Sequence, residues 1–227
     1  MTDATIAEEA RDAPAEVDAR RAVALVVGVA ATVCFVVLRT VVALGGHQPL
    51  PIDVWFHDLM LATRTDVGIV LAWIPAIVGG TLGMIVIGIA LVVAFIARRR
   101  PWDALTLAAA IVTVVAIGAP MAAVIARVRP ADSLAESVPT SFPSGHTAVA
   151  TTVALTLGLL LRRWWVWAAG IVWVLYMMWC RCYLHAHWLS DVIAGLLEGI
   201  AVATLVWVAV EAFRDRRALA ARTVASG

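Results

Sequence analysis

The stretch "VGIVLAWIPAIVGGTLGMIVIGIALVVAFIA", residues 67–97, contains no charged side chain. As one straight helix it would extend about 46 Å, well beyond the roughly 30 Å hydrocarbon core of a bilayer. Pro75 and a Gly-Gly pair shortly after it offer places where such a helix can break. We therefore predict one membrane span over residues 75–97, with residues 67–74 lying at the membrane interface.

The whole chain has the composition of an integral membrane protein. Hydrophobic residues make up 63% of its 227 residues and the mean hydropathy is +0.93, far above the values of a soluble domain. Every basic residue is arginine, and the formal net charge of +1 argues against a nucleic-acid partner. The three cysteines lack the spacing of a metal site or a disulfide framework, so we interpret them as small apolar core residues.

Five further apolar runs are close to the roughly 20 residues that a spanning helix needs. These runs are 22–44, 102–125, 146–161, 164–182 and 191–210. The run 146–161 is short and needs help from its flanks. Together with residues 75–97, these runs predict an all-α, polytopic membrane protein with six transmembrane helices.

A short amphipathic segment, "PIDVWFHDLM" at residues 51–60, follows the first predicted span. Its apolar residues recur at the spacing of one helix face. They are Ile52, Trp55, Phe56, Leu59 and Met60. We predict a short helix that lies in the membrane interface.

The two ends of the chain are polar and are expected to lie outside the membrane domain. Residues 1–20 are rich in Ala, Asp and Glu, which predicts a disordered cytoplasmic tail. The membrane domain is expected to occupy residues 21–212. Residues 213–227 carry several arginines and are predicted to form a basic cytoplasmic tail.

The arginines predict the orientation of the bundle. Clusters at 20–21, 98–100, 162–163 and 214–222 all fall on one side of the predicted spans. Because positive charge collects on the cytoplasmic side, both termini are expected in the cytoplasm of a multi-pass cell-membrane protein. The opposite, extracytoplasmic side nevertheless carries Arg127, Arg129 and Arg181, which need another explanation.

Two predicted outer segments concentrate polar residues at the extracytoplasmic surface. They read "ARVRPADSLAESVPTSFPSGHT", between the third and fourth spans, and "CRCYLHAHWLSDV", between the fifth and sixth. Arginine guanidinium groups match phosphate oxygens with planar pairs of donors. Ser144 and Gly145 directly precede a helix, whose N-terminal amides attract anions. These residues and the arginines therefore predict a phosphate-binding site.

Histidines complete this predicted site. Of His146 and His187, one can attack phosphorus as a nucleophile while the other protonates the leaving oxygen. Asp191 follows His187 by four residues, so a helix would place both on one face, where the carboxylate can accept the Nδ1 proton. The outer segments hold no paired carboxylates for magnesium, and His185 and His187 would point apart on a helix, so we expect neither a zinc pair nor any other cofactor. His47, His57 and His185 are expected to be interface histidines.

These motifs resemble those of the type 2 phosphatidic acid phosphatase superfamily, the membrane lipid phosphate phosphatases. That family combines a lysine separated by six residues from Arg-Pro, then Pro-Ser-Gly-His, then Ser-Arg with a downstream histidine and Ser-Asp. Arg129-Pro130 matches the end of the first motif, and residues 143–146 match the second completely. Arg181, His187, Ser190 and Asp191 match the third at the same spacing. The likeness covers all six predicted spans.

The resemblance implies a role for each matched residue. His187 is then the nucleophile, Asp191 its orienting partner and His146 the general acid. The implied phosphate binders are Arg129, Arg181, Ser144 and Gly145. Ala122 stands where the family has its lysine, and we hypothesise that Arg127 replaces the missing phosphate contact. Cys180 stands where the family has a serine.

The sequence thus predicts a metal-independent hydrolase of a lipid phosphate or diphosphate, acting at the outer membrane face through a phosphohistidine. Candidate substrates are a polyprenyl diphosphate, phosphatidic acid and phosphatidylglycerol phosphate. Two alternatives stay open: a phosphotransferase that passes the phosphate to an acceptor hydroxyl, and a catalytically inactive lipid-binding protein. A transporter is disfavoured, because the sequence shows no internal repeat. The oligomeric state is not predicted.

Overall fold

The computed structural model describes residues 3–135 and 138–225, without the side chains of residues 3–17 and 81. Within these residues the regular structure is helical, apart from one isolated β-bridge between Val128 and Thr140. The helices are α1 (Asp3–Leu44), α2 (Pro51–Ala62), α3 (Asp66–Val78), α4 (Thr81–Ala97), α5 (Pro101–Ile125), α6 (Gly145–Leu161), α7 (Trp164–Tyr183) and α8 (Leu189–Ala225).

The central helix of the bundle is α8, which packs against α1, α5 and α6. Gly195 and Gly199, one turn apart on α8, face α6. A Cβ placed on Gly195 would come within 2.4 Å of the Ser144 carbonyl oxygen, and one on Gly199 within 2.7 Å of the Ala148 carbonyl oxygen. Small residues at this spacing allow two apolar helices to approach closely inside a membrane. The close approach brings the first turns of α6 and α8 together.

We expect Gly195→Ala to destabilise the bundle, by about 1–3 kcal/mol, because the added methyl group overlaps backbone that cannot move alone. The measurement is the midpoint of thermal unfolding in detergent. The control is Gly88→Ala, whose Cβ would meet only the terminal methyl group of Ile111, at 3.2 Å. An unchanged midpoint for Gly195→Ala would contradict the close packing of α6 on α8.

The lengths of the helices confirm an all-α membrane protein, but not the number of spans. Among the described residues, four helices are long and apolar enough to cross a bilayer: Asp18–Leu44, Pro101–Ile125, Trp164–Tyr183 and Leu189–Ala225. A further crossing is available if α3 and α4 form one span, bent by 51°. With 17 residues, α6 is shorter than a usual span. The predicted total of six spans stays a prediction.

The charge-free run breaks later than the sequence predicts. The break lies at Gly79 and Gly80, and α3 runs from Asp66 through Pro75 to Val78. The N-terminus of α3 is fixed because the Gly68 amide donates to the Thr65 hydroxyl. The predicted start of the span at residue 75 was wrong, although the Gly-Gly pair was one of the two breaks that the sequence offered: a proline removes one backbone donor without ending the helix, whereas the two glycines end it.

The predicted short helix forms as α2, with most of its apolar stripe on the outside of the bundle and only Met60 of the stripe buried. Ile52 is 49% exposed and Trp55 58% exposed, which leaves much of the stripe on the outside of the bundle. The buried residues of α2 are Asp53 and Met60. A fully buried aspartate requires a partner of opposite charge, and Asp53 has one in the site described below.

The segments predicted to be polar tails are helical where the structure describes them. α1 begins at Asp3 and includes most of residues 1–20, which the sequence predicts to be disordered. α8 likewise continues to Ala225 through the predicted basic tail. Alanine and glutamate have high helix propensity, which accounts for the difference. Residues 1–2 and 226–227 of the predicted tails lie outside the described residues.

All four arginine clusters that set the predicted orientation lie at one end of the bundle. Arg21 pairs with Asp215 at 2.6 Å and with Glu211 at 3.4 Å, which joins the start of α1 to the last turns of α8. Arg100 donates to the Leu160 carbonyl at 3.0 Å, which joins the start of α5 to the end of α6. The helix ends that carry the predicted phosphate site lie at the opposite end of α6 and α8.

Candidate active site

A cavity of about 540 Å³ joins the two histidine-bearing segments to the membrane helices. Its polar end is formed by Arg129, His146 and His187, together with Gly145. Its other walls are apolar and come mainly from α4, α5 and α6. The cavity therefore has one end suited to an anion and one suited to a hydrocarbon chain.

The imidazole of His187 has a defined tautomer. Its Nδ1 lies 2.7 Å from the carbonyl oxygen of Ser141. Because a carbonyl oxygen only accepts, Nδ1 carries the proton and donates it, and Nε2 keeps its lone pair. The Asp191 carboxylate is farther from Nδ1, at 3.8 Å. The acceptor that fixes this tautomer is thus Ser141, and not Asp191 as the sequence predicts.

His187 is buried, with 6% of its surface exposed. Burial is the main cause that lowers its pKa from 6.5 to about 4, while the neighbouring Asp191 acts in the opposite direction. The imidazole is therefore neutral at neutral pH, as a nucleophile has to be.

The lowered pKa of His187 makes the stability of the fold depend on pH. The unfolded histidine binds a proton near pH 6.5 and the folded one only near pH 4, so the unfolded state holds more protons between these values. His187 therefore contributes fully above pH 6.5, and its contribution is lost as the pH falls towards 4. We expect the unfolding midpoint of the wild type to fall more steeply over this range than that of His187→Asn. Parallel curves for the two proteins would contradict this pKa.

His146 stands in the first turn of α6 and faces the same cavity as His187. It lies within hydrogen-bonding reach of the backbone of Ala76 on α3. Arg129 and Arg181 are close enough to both imidazoles to act on them electrostatically. The structure thus brings both predicted histidines and both predicted arginines to one place.

The guanidinium of Arg129 is held by backbone carbonyl groups. Its Nε donates to Val138 at 2.9 Å, one Nη donates to Thr140 at 2.6 Å, and the other donates to Ala186. Arg181 is almost completely buried at the end of α7. A guanidinium held in this way can meet a phosphate without first losing side-chain freedom.

Gly145 and Ser144 contribute differently to this end of α6. Gly145 lines the cavity, and a Cβ placed on it would meet nothing within 4 Å, so its backbone is open to a ligand. Ser144 is fully buried; its amide donates to the Asp191 carbonyl at 3.0 Å, and its hydroxyl pairs with that of Thr147 at 3.1 Å. If Thr147 donates in this pair, the Ser144 hydroxyl keeps its own proton to donate to a phosphate.

Arg127 occupies a different position from the one that the sequence predicts. It is fully buried between two carboxylates, 2.6 Å from Asp53 and 2.5 Å from Asp191. Its two terminal nitrogens also donate to the Ser190 hydroxyl at 2.7 Å and to the Gln48 carbonyl at 3.1 Å. The hypothesis that Arg127 replaces the family lysine does not fit, because two buried carboxylates already neutralise its charge.

Asp53 belongs to this buried cluster and is the residue that sequence reasoning missed. Its carboxylate accepts from the amide and the hydroxyl of Ser190, at 2.7 and 2.8 Å. The only signal in the sequence was that Asp53 lies off the apolar stripe of α2. Asp53, Arg127 and Asp191 together fix the first turn of α8, and with it the segment that carries His187.

Comparison with known proteins matches these motifs to a defined family. The sequence profile described as the PAP2 superfamily matches residues 84–215, which includes α5 to α7, most of α4 and most of α8. The chain belongs to the PAP2 superfamily. An undecaprenyl-diphosphatase of Sulfolobus acidocaldarius is 34% identical over 109 residues, which are 45% of this chain and 52% of that protein. The chain thus spans about half the length of this curated relative.

Two solved PAP2-like structures share the fold. A transmembrane PAP2-type phosphatidylglycerolphosphate phosphatase from Bacillus subtilis superimposes with a TM-score of 0.71 at 20% identity, over 83% of this chain and 96% of that one. LpxE of Aquifex aeolicus superimposes with a TM-score of 0.62 at 21% identity, over 70% of this chain and 96% of that one. At these identities the likeness establishes the PAP2 membrane fold.

The two departures from the PAP2 motifs lie in different surroundings. Ala122, at the position of the family lysine, is part of the cavity wall, so no cation stands there. Cys180, at the position of the family serine, is fully buried and points at the Met177 carbonyl, 3.2 Å from its sulfur. The first departure changes the cavity that would hold a ligand, and the second changes only the packing beside Arg181.

The structure corrects the expectation for His57 and His185. Both were predicted to be plain interface histidines, yet His185 is fully buried and both rings contact the carboxylate of Asp132. The sequence signal was weak, because the residues lie far apart in the chain and only the fold brings them together.

Proposed function

We propose that this protein hydrolyses a lipid phosphate or diphosphate through a phosphohistidine on His187. The observation that carries the proposal is the composition of the cavity: two histidines and an arginine lie at one end, and the apolar walls from α4, α5 and α6 form the other end, called the apolar groove here. Membership of the PAP2 superfamily and the name of the undecaprenyl-diphosphatase relative support the same reaction class.

The apolar groove supports a lipid substrate over a soluble one. A second cavity of about 350 Å³ lies between α4 and α5 and shares Met84, Ile85 and Ile111 with the wall of the first. Its lining is aliphatic apart from one glycine and one methionine. A hydrocarbon chain can therefore lie between α4 and α5 while its phosphate reaches His187.

In the first step, Nε2 of His187 attacks phosphorus and the bond to the leaving oxygen breaks. Nδ1 keeps its proton on the Ser141 carbonyl, so the product is a phosphorylated, positively charged imidazole. His146 gives its proton to the leaving oxygen. The Asp191 carboxylate, 3.8 Å from Nδ1, stabilises the positive ring that forms.

In the second step, water attacks the phosphohistidine and the N–P bond breaks. His146, now neutral, takes one proton from the water, and inorganic phosphate leaves. Arg129, Arg181 and the open backbone at Gly145 bind the phosphate oxygens in both steps. Among the described residues of the cavity wall, the charged or titratable side chains are one arginine and two histidines, so charge neutralisation is assigned to arginine and no metal ion is required.

The proposed topology has six spans, with α3 and α4 forming one bent span and α6 another. Both termini face the cytoplasm in this arrangement, and the catalytic cavity opens towards the extracytoplasmic leaflet. The arginine clusters at the far end of the bundle support this orientation.

The proposal is tested by phosphate release from purified protein in detergent containing EDTA. The substrates are a polyprenyl diphosphate, phosphatidic acid and phosphatidylglycerol phosphate, each with and without an added alcohol. We expect release without the alcohol, with the polyprenyl diphosphate preferred. Release only with the alcohol would indicate a phosphotransferase, and no release from any lipid would indicate an inactive lipid-binding protein.

Replacing His146 by alanine is expected to slow cleavage most where the leaving group is poor. Phosphatidic acid, which releases an alcohol, should be cleaved about 10²- to 10⁴-fold more slowly in a single turnover, whereas 4-nitrophenyl phosphate should be affected much less. The reason is that nitrophenolate leaves without a proton. Equal losses on both substrates would rule out His146 as the general acid.

A further inference from the structure

Among the described residues, one group of potential metal ligands lies outside the lining of the cavity and takes no part in the proposed reaction. It consists of His57 on α2, Asp132 in the segment between α5 and α6, and His185 in the turn between α7 and α8. One ligand atom from each residue lies within 4.8 Å of the other two. Three separate segments of the chain therefore converge on one small volume.

The contacts inside this cluster are close. Nε2 of His57 lies 3.0 Å from one Asp132 oxygen, and Nδ1 of His185 lies 2.5 Å from the other. The two imidazole rings face each other with centroids 4.1 Å apart. Asp132 is 43% exposed, so the cluster can be reached from outside the bundle.

If Asp132 only linked His57 and His185 by hydrogen bonds, two features of His185 would stay unexplained. Its side chain is fully buried, and its Nε2 has no hydrogen-bond partner among the described residues. Its backbone also adopts the left-handed conformation, with φ at 51°. Backbone strain clusters at ligand sites, and a buried polar atom without a partner calls for an explanation such as a bound ion.

We propose that His57, Asp132 and His185 bind a zinc ion, with a water molecule completing the coordination. Two imidazoles and one carboxylate suit zinc, whereas magnesium and calcium prefer oxygen ligands. Tetrahedral zinc places its ligand atoms about 3.3 Å apart, so the three side chains need only small movements to admit the ion. The Asp58 carboxylate, 3.6 Å from Nδ1 of His57, would orient that ring for coordination through Nε2.

The ion would join the two chain segments that hold Arg129, one of the proposed phosphate-binding residues. The segment that carries Asp132 also carries Arg129, which donates to the Ala186 carbonyl next to His185. The same two segments meet again where the Leu134 amide donates to the Leu184 carbonyl at 3.0 Å. The role of the zinc is therefore structural, and phosphate release is expected to continue in EDTA while the unfolding midpoint falls.

The test is a cobalt titration of the metal-free protein in detergent, followed by displacement with zinc. We expect one equivalent of Co²⁺ with visible d–d absorption and no thiolate charge-transfer band. His57→Gln and Asp132→Asn should weaken binding at least about tenfold each, whereas His47→Asn, outside the cluster, should not. Zinc should also raise the unfolding midpoint of the wild type and of His47→Asn, but not of the two cluster variants.

Two results would overturn the proposal. One is the absence of d–d absorption in the wild type with excess Co²⁺, at a protein concentration high enough to make these weak bands visible, a measurement that does not depend on how the variants fold. The other is a spectrum and affinity that His57→Gln and Asp132→Asn leave unchanged, which would place the ion elsewhere. Because binding and unfolding are measured without substrate, failure here is distinct from failure of the proposed hydrolysis.

Discussion

His187→Asn is expected to reduce phosphate release by about 10³-fold or more, because it removes the nitrogen that is proposed to attack phosphorus. Asparagine is the most informative replacement, because it removes the nucleophile but can keep the hydrogen bond that His187 makes. Its side-chain amide can still donate to the Ser141 carbonyl, which accepts from Nδ1 of His187 at 2.7 Å. The local fold should therefore survive while the nucleophile is lost.

The matched control for this prediction is His47→Asn. His47 lies in the turn after α1 with φ at 61°, a conformation that asparagine tolerates well. This variant should release phosphate at the wild-type rate. Comparable activity of His187→Asn and the wild type, with both folded, would remove His187 from the mechanism.

Arg127→Met is expected to destabilise the protein by about 3–5 kcal/mol, because it leaves Asp53 and Asp191 buried without their shared cation. The measurement is the unfolding midpoint together with the yield of folded protein. If Arg127 instead bound phosphate, the variant would fold normally and only the KM would rise. A buried counter-ion role therefore predicts a lower unfolding midpoint, whereas a phosphate-binding role predicts a higher KM.

A second substitution separates the loss of charge balance from the loss of packing. Asp53→Asn in the Arg127→Met background removes one of the two uncompensated carboxylates and should recover part of the lost stability. Arg98→Met, at an exposed position at the end of α4, serves as the control and should leave the midpoint unchanged. Equal midpoints for the single and double variants would contradict the account of Arg127 as a buried counter-ion.

Much of the helical architecture could be predicted from the sequence, because apolar runs mark the segments that cross a bilayer and arginine clusters mark the ends of those segments. The predicted run 102–125 corresponds to α5, and 164–182 to α7, each within one residue at either end. The break in residues 67–97 was misplaced, since sequence alone gives no measure of whether a proline or a glycine pair ends a helix. The extent of the terminal helices was missed for a similar reason, because a polar, alanine-rich segment is compatible with both helix and coil.

The site followed from the sequence to the extent that its residues stand in compact motifs. His146, His187, Arg129 and Arg181 were predicted to meet; the structure brings the first three to one end of a cavity and Arg181 close to both histidines. The partners that hold them were not predictable. The Ser141 carbonyl is a backbone atom and leaves no trace in residue type, and Asp53 lies 74 positions from Arg127. Such contacts depend on how α2 packs against α8.

The most direct test of the central claim is to trap the phosphoenzyme. His146→Ala should form the intermediate from 4-nitrophenyl phosphate and hydrolyse it slowly, so a rapid alkaline quench should recover phosphate on the protein. We predict an acid-labile, alkali-stable phosphohistidine at His187, absent from His187→Asn. Turnover without any phosphoenzyme, or phosphate attached equally to His187→Asn, would contradict the proposed mechanism.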